Sequence, residues 1–305
     1  MKKILSISIG SSSRDHTTRQ FFLGQEFEIT RQGTNGDVNK AAQLYREMDG
    51  KVDAFGIGGT AFYLKVADRR YYFREPKKFR EAIKISKVGD GSRVKGLLEK
   101  RAFVALEKYL NEKEGKSLKG MPAMQTTVVD RYGMGKAMLE AGLDVTFCDL
   151  MFALGLPFSF KTLATARLLA ATLLPVICLL PFSWVYPLGS DQDKPPRPRW
   201  TRFYQQSYVI AGDFLQVRDY MPDDLTGKII VTNTTTAKNV EELRARNLHI
   251  LVTVTPRFEG RSFGTNVMEA VLLALLDKQE EDVSDAEFLE MIERIPLEPN
   301  IEVLN

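Results

Sequence analysis

Short apolar runs rich in β-branched residues alternate along this chain with polar, glycine-marked loops. Ile229–Val231 and Ile250–Val254 read as buried strands. The polar residues Asn233 to Thr236 follow the first run, and a helix is expected over 237–246. A polar loop, Arg257 to Asn266, follows the second run and leads to a helix over 267–276. Strand, helix, strand, helix with both polar loops after strand ends is a parallel β unit. The pattern recurs upstream: strands are expected at 126–129, 145–148 and 208–211, with helices at 136–141 and 214–220. In the first third, strands are expected at 4–9, 27–29 and 52–57, and helices at 38–48, capped by Asp37, and 94–110. The charged run NEKEGKSLK, 111–119, marks a boundary. The expected fold is α/β, with two Rossmann-like domains of mostly parallel sheet. The first spans 1–119 and binds substrate; the second, 120–305, is doubly wound and binds nucleotide.

Composition changes this picture little. The 305 residues suffice for two domains, 44% are hydrophobic, and the formal charge of +3 gives no reason to expect nucleic acid. Cys148 and Cys178 sit in apolar runs and read as buried thiols, which suits a reducing, cytoplasmic compartment. MKKILSISIG reads as a first strand and not as a signal peptide. Residues 168–190 carry no charge, but three prolines interrupt them. A buried helix with an apolar loop, or a homodimer interface, is expected there in place of a membrane span.

Candidate chemistry gathers after strand ends, where open α/β sheets bind ligands. The loop 10–19 holds Ser12, Arg14 and His16, the histidine being placed for proton transfer. Gly58 and Thr60 follow the strand at 52–57, with Lys65 and Asp68 further on. Asp130, Gly133 and Gly135 followed by Asp149 have the layout of a dinucleotide turn, in which glycines admit the pyrophosphate and the acid holds a ribose hydroxyl. Asn233 and Thr234 extend that candidate cofactor site. Arg257, Arg261 and Asn266, with Glu259 as an orienting carboxylate, suit a carboxylate, phosphate or polyhydroxy ligand. No cluster of His, Cys or acidic residues suggests a metal.

The loops SSSRDHTTR, GIGGT, VDRYGMG, FCDLMFALGLP, TNTTT and TPRFEGRSFGTN together resemble a bacterial family whose members often carry the label quinate 5-dehydrogenase. The resemblance covers most of the chain. It implies a small substrate domain ahead of a nicotinamide-binding domain, with NAD or NADP as cofactor. It also implies a lysine–aspartate pair near the substrate, for which Lys65 and Asp68 are the positional candidates. The expected function is then an NAD(P)-dependent oxidoreductase acting on a small hydroxylated acid such as quinate or shikimate. The alternative is a non-redox transferase, epimerase or binding protein for a nucleotide or sugar phosphate.

Overall fold

The computed structural model describes residues 1–181, 194–258, 261–295 and 297–305. The chain folds into two α/β domains with mostly parallel sheets. The N-terminal sheet contains β1 (Lys2–Ser8), β2 (His16–Phe22), β3 (Gln25–Gly33), β4 (Ala54–Gly58) and β7 (Lys87–Gly89). Its order is β2-β3-β1-β4-β7, with only the edge strand β2 antiparallel. Between β4 and β7 lies a separate hairpin, β5 (Tyr63–Val66) and β6 (Arg69–Tyr72).

The C-terminal sheet contains β8 (Pro122–Gln125), β9 (Asp144–Phe147), β10 (Val209–Gly212), β11 (Ile229–Thr232), β12 (Ile250–Thr253) and β15 (Asn300–Val303). Its order is β15-β12-β11-β10-β8-β9. Five strands run parallel; the edge strand β15, which the apolar pattern did not reveal, is antiparallel to β12. In each sheet the strand order reverses once, beside β1 in the first and beside β8 in the second, so each has a switch point at its carboxyl edge.

The faces of β1 show how the pattern is used. Leu5, Ile7 and Ile9 pack with Ala41, Ala42 and Tyr45 of α1 (Val38–Met48). Ile4 faces the opposite core, and Ser6 and Ser8, two and four residues on, continue that face toward the carboxyl edge. The layer over this second face comes from far along the chain. Helix α10 (Thr265–Leu276), buried along most of its length, packs on β1, β4 and β7. Gly56 and Gly89 make room, since a Cβ at Gly89 would lie 3.0 Å from Ala270 N and one at Gly56 2.9 Å from the Asn266 amide. The chain therefore crosses between domains at α3 (Ser92–Glu114), again into α10, and returns through α11 (Asp285–Arg294) to β15. One apolar cluster runs through α3 and α10 from Ile4 and Phe27 to Val209 and Val252.

The turn after β8 departs from the sequence reading. The strand ends at Gln125, so residues 126–129 form the turn itself, and α4 starts at Tyr132 (Tyr132–Glu140). The amides of Val128 and Val129, which a dinucleotide would approach, donate instead to the Asp149 carboxylate at 3.0 and 2.8 Å. Asp149 is buried at the start of α5 (Asp149–Leu154). The glycines serve packing: a Cβ on Gly133 would sit 2.7 Å from Gly96 Cα of α3, and one on Gly135 2.6 Å from the Val128 side chain. Gly133, Gly135 and Asp149 thus close the turn on itself, with the Val128 and Val129 amides given to Asp149 and the glycines to packing.

The apolar stretch is only partly buried. Helix α6 (Leu163–Ile177) sends Ala170 and Leu174 into the core beneath the β5–β6 hairpin, while Leu168 and Val176 are exposed. Residues 182–190 lie outside the described residues. Among the described residues no helix is long and apolar enough to cross a membrane. Cys148 and Cys178 are buried free thiols, and burial pushes them up to about 12 and about 11.

Burial raises the Asp149 carboxyl to about 6 against the pull of its two amide donors. A carboxyl raised in the fold binds its proton more tightly there than in the unfolded chain. Its effect on stability is therefore favourable below the unfolded value near 4 and is lost as pH rises through 6. Asp149→Asn is expected to flatten the fall in urea-denaturation stability between pH 4 and 6 by up to about 3 kcal/mol. An unchanged pH profile in the variant would contradict this account of Asp149.

Candidate functional site

A cleft of about 240 Å³ opens between the domains at the carboxyl edges of β1, β4, β10 and β11. Three features of the chain build its walls. The first is the polar end of β1: Ser8 lines the cleft, and Ser6 Oγ accepts from Asn266 Nδ2 at 3.0 Å, tying β1 to the start of α10. The second is the glycine turn after β4, where Gly58, Gly59 and Thr60 line the cleft. A Cβ at Gly58 would lie 2.8 Å from Ser8 Cβ, and Gly59 has φ +72°, so both positions favour glycine. The third is the turn after β10, where Asp213 caps α8 (Phe214–Asp219) by accepting from Leu215 N at 3.0 Å.

The floor is an ion network around Arg131. Its guanidinium is buried and donates to Glu99 Oε1 of α3 at 2.8 Å and to Asp213 Oδ2 at 3.1 Å; Asp130 lies 3.7 Å from Nε. Burial opposes the Arg131 charge, but the three carboxylates outweigh it and hold the group above its ordinary range. Burial likewise pushes Glu99 up, with Arg131 and Lys95 pulling it back. Lys95 Nζ donates to the Asp130 carbonyl at 2.8 Å and to its carboxylate at 3.2 Å. Asn233 Nδ2 donates to Asp213 at 2.7 Å, while its Oδ1 accepts from Phe214 N at 3.1 Å. Gln216 Oε1 accepts from the hydroxyls of Thr126 and Thr127 at 3.1 and 2.7 Å, which fixes the amide at the cleft.

Two further charged groups at the cleft, Arg31 and Asp90, are also paired within the protein. Arg31 donates to Asp15 at 2.6 Å and to the Ser11 carbonyl at 3.0 Å. Burial and the neighbouring Arg14 push it down to about 10, against Asp15. Asp90 accepts from the amides of Phe62 and Ser92, both at 2.8 Å. His16 stacks on Phe263 with ring centroids 5.0 Å apart.

The sequence candidates divide. Arg14, His16, Gly58, Thr60, Asp130, Asn233, Thr234 and Asn266 come together in the cleft lining, although residues far apart in the chain supply them. His16 does so from β2, and not from the expected polar loop. Ser12 is outside, exposed in a short 3-10 turn, where its amide and hydroxyl pair with Asn35. Lys65 and Asp68 are exposed: alternation along β5 turns Leu64 and Val66 inward and Lys65 outward, so the expected catalytic pair does not reach the cleft. Arg257, on the two-residue strand β13 (Arg257–Phe258), pairs with Glu302 of β15 and serves the sheet edge. Only the backbone of Arg261 is described, in β14 (Arg261–Ser262), and Glu259 lies outside the described residues.

Arg131, Asp213, Gln216, Arg31 and Asp90 were not among the sequence candidates. Asp213 carried a legible signal, since it directly follows a buried strand as an acidic helix cap. Arg131 carried none, because its role depends on Glu99 thirty-two residues away.

Removing one partner from a buried pair leaves an uncompensated charge. Arg131→Met is expected to destabilise the protein by about 3–5 kcal/mol in urea denaturation. The double variant Arg131→Met, Glu99→Met should recover part of that loss. A double variant as unstable as the sum of the two single ones would show that the pair is not coupled.

A domain of unknown function, DUF8753, matches residues 3–90, and a second, DUF8754, matches residues 93–304. No curated protein matches the chain. Among solved structures, a galactofuranose binding protein is 10% identical, with 100% of this chain and 95% of that one covered and a TM-score of 0.38. A carbohydrate transporter solute binding protein from Agrobacterium Radiobacter, in complex with D-arabinose, is 12% identical, with 95% and 98% covered and a TM-score of 0.36. The periplasmic binding protein component of the arabinose ABC transporter from Shewanella sp. ANA-3 is 10% identical, with 96% and 95% covered and a TM-score of 0.35.

The family models that match are two domains of unknown function, and the expected kinship with enzymes labelled quinate 5-dehydrogenase is corrected accordingly. The oxidoreductase and NAD assignments that rested on it fall as well. The expected cytoplasmic location is also withdrawn; transporter and periplasmic are descriptions of similar solved proteins and are said of those proteins alone. With about two thirds of its length matched by one family model, the chain belongs to the family of the domain of unknown function DUF8754.

Proposed function

We propose that the chain binds a small, neutral, polyhydroxylated ligand, such as a monosaccharide or cyclic polyol, in the cleft between its domains. One observation carries this reading: Arg131, Lys95 and Arg31 are already paired with carboxylates inside the protein, while uncharged hydroxyls and amides converge from both walls. A cation committed to an internal partner is a poor anchor for a ligand phosphate, because rebinding it exposes the carboxylate left behind. Hydroxyls and amides offer both donors and acceptors, as a polyol does. Ser8 and Thr60 lie on one wall, and Thr234 and Gln216 on the other. Phe73, Phe214 and Phe263 add apolar faces beside them, giving the mixture of apolar surface and few fixed polar groups that small-molecule sites use.

Calorimetric titration with a panel of pentoses, hexoses and cyclic polyols, each beside its phosphate ester, tests the reading. At least one neutral compound is expected to bind, and more tightly than its ester. Thr60→Val and Thr234→Val, which remove one hydroxyl from each wall, should each weaken that binding about tenfold, for a hydrogen bond worth about 1–1.5 kcal/mol. Melting temperatures should change little. Binding of esters alone, or variants that bind as the parent does, would refute the proposal.

A further inference from the structure

A second cavity, of about 130 Å³, lies between α5, α6 and α8. Leu169, Leu173 and Ile177 line it from α6 at a spacing of four residues, one stripe of the helix surface. Leu150, Phe152 and Leu154 line it from α5. The polar residues beside them are mostly engaged elsewhere: Thr127 donates to Gln216, Asp149 accepts from two amides and Asp130 is held by Lys95. The cavity is thus an apolar space roofed by a half-buried helix. Its size approaches that of a cavity of about 150 Å³ that accepts benzene.

Leu64, Asp130 and Gln216 line both this cavity and the polar cleft, so the two spaces adjoin through those residues. Gln216 stands at the junction, with its carbonyl oxygen fixed by Thr126 and Thr127. We infer that the ligand is a glycoside whose polyhydroxylated ring occupies the cleft and whose apolar aglycone, an aryl or short alkyl group, enters the cavity between α5 and α6. This inference rests on the reading of the cleft as a polyol site. It adds the substituent that such a ligand carries and the residues that select it. Apolar surface buried there strengthens binding without further polar contacts.

The test compares phenyl and methyl glycosides of the same sugars, with benzyl alcohol as a separate probe of the cavity, by calorimetry on the full chain. A phenyl glycoside is expected to bind at least tenfold more tightly than its methyl counterpart. Leu173→Phe, which fills the cavity from a half-buried position, should abolish that advantage and leave methyl glycoside binding unchanged. Leu173→Ala, the milder change, should keep the advantage, and melting curves of both variants establish that they fold. Equal binding of phenyl and methyl glycosides would overturn the inference and leave the polyol reading standing. Binding of benzyl alcohol with no glycoside bound would overturn both. An advantage that survives Leu173→Phe in a folded variant would place the aglycone elsewhere and overturn the inference.

Discussion

The Arg131 charge, buried and met by Glu99 and Asp213, is the constraint on which the cleft depends. A guanidinium cannot shed its proton to escape burial, so the fold must bring carboxylates to it. Glu99 comes from the middle of α3, Arg131 from the start of α4 and Asp213 from the end of β10, so three elements are held at fixed separation. The close approach of α3 and α4 at Gly96 and Gly133 belongs to the same arrangement, because a side chain on Gly133 would meet both Gly96 and Glu99. Asp213 passes the order on to Asn233, and through it to the first amide of α8. The cleft floor is thereby set before any ligand enters, which lowers the ordering cost of binding.

The crossing of the chain does for the walls what Arg131 does for the floor. Helix α10 follows the last parallel strand of the second sheet yet covers the first sheet, and Asn266 at its start holds Ser6 of β1. Because each sheet reverses its strand order once, each offers an open carboxyl edge, and the crossing turns the two edges toward one space. Ligand contacts from both domains follow from this topology and not from any single loop.

The strongly periodic elements were legible in the sequence. Helices α1 and α10 and the strands β1, β11 and β12 fall close to where apolar spacing and polar caps place them, because those residues bury the same faces that their spacing defines. The misplaced elements each have a physical reason. The strand expected at 126–129 lies four residues earlier: Pro122 and Gln125 gave its true span little strand preference, and pairing with β10 supplied what was missing. His16 looked like a loop residue because serines and Asp15 precede it, yet pairing with Arg31 across β3 extends the strand to it. The edge strand β15 alternates polar and apolar residues, but over only four positions in an acidic, proline-marked tail; pairing with β12 and the ion pairs of Glu302 with Arg257 and Arg244 hold it at the sheet edge.

The sequence by itself determined the fold class, the parallel units and the clustering of hydroxyls, amides and glycines after strand ends, because hydrophobic period and turn chemistry act over a few residues. Tertiary structure alone decided which of those polar groups share a space and which are spent. Gly133, Gly135 and Asp149 have the spacing of a ligand turn, but the neighbouring α3 and the turn's own amides consume them. Lys65 and Arg257 have suitable chemistry and point to solvent or to the sheet edge. Arg131 and Gln216 gave no local sign, because the value of a buried charge or amide depends on partners that only packing brings within hydrogen-bonding distance.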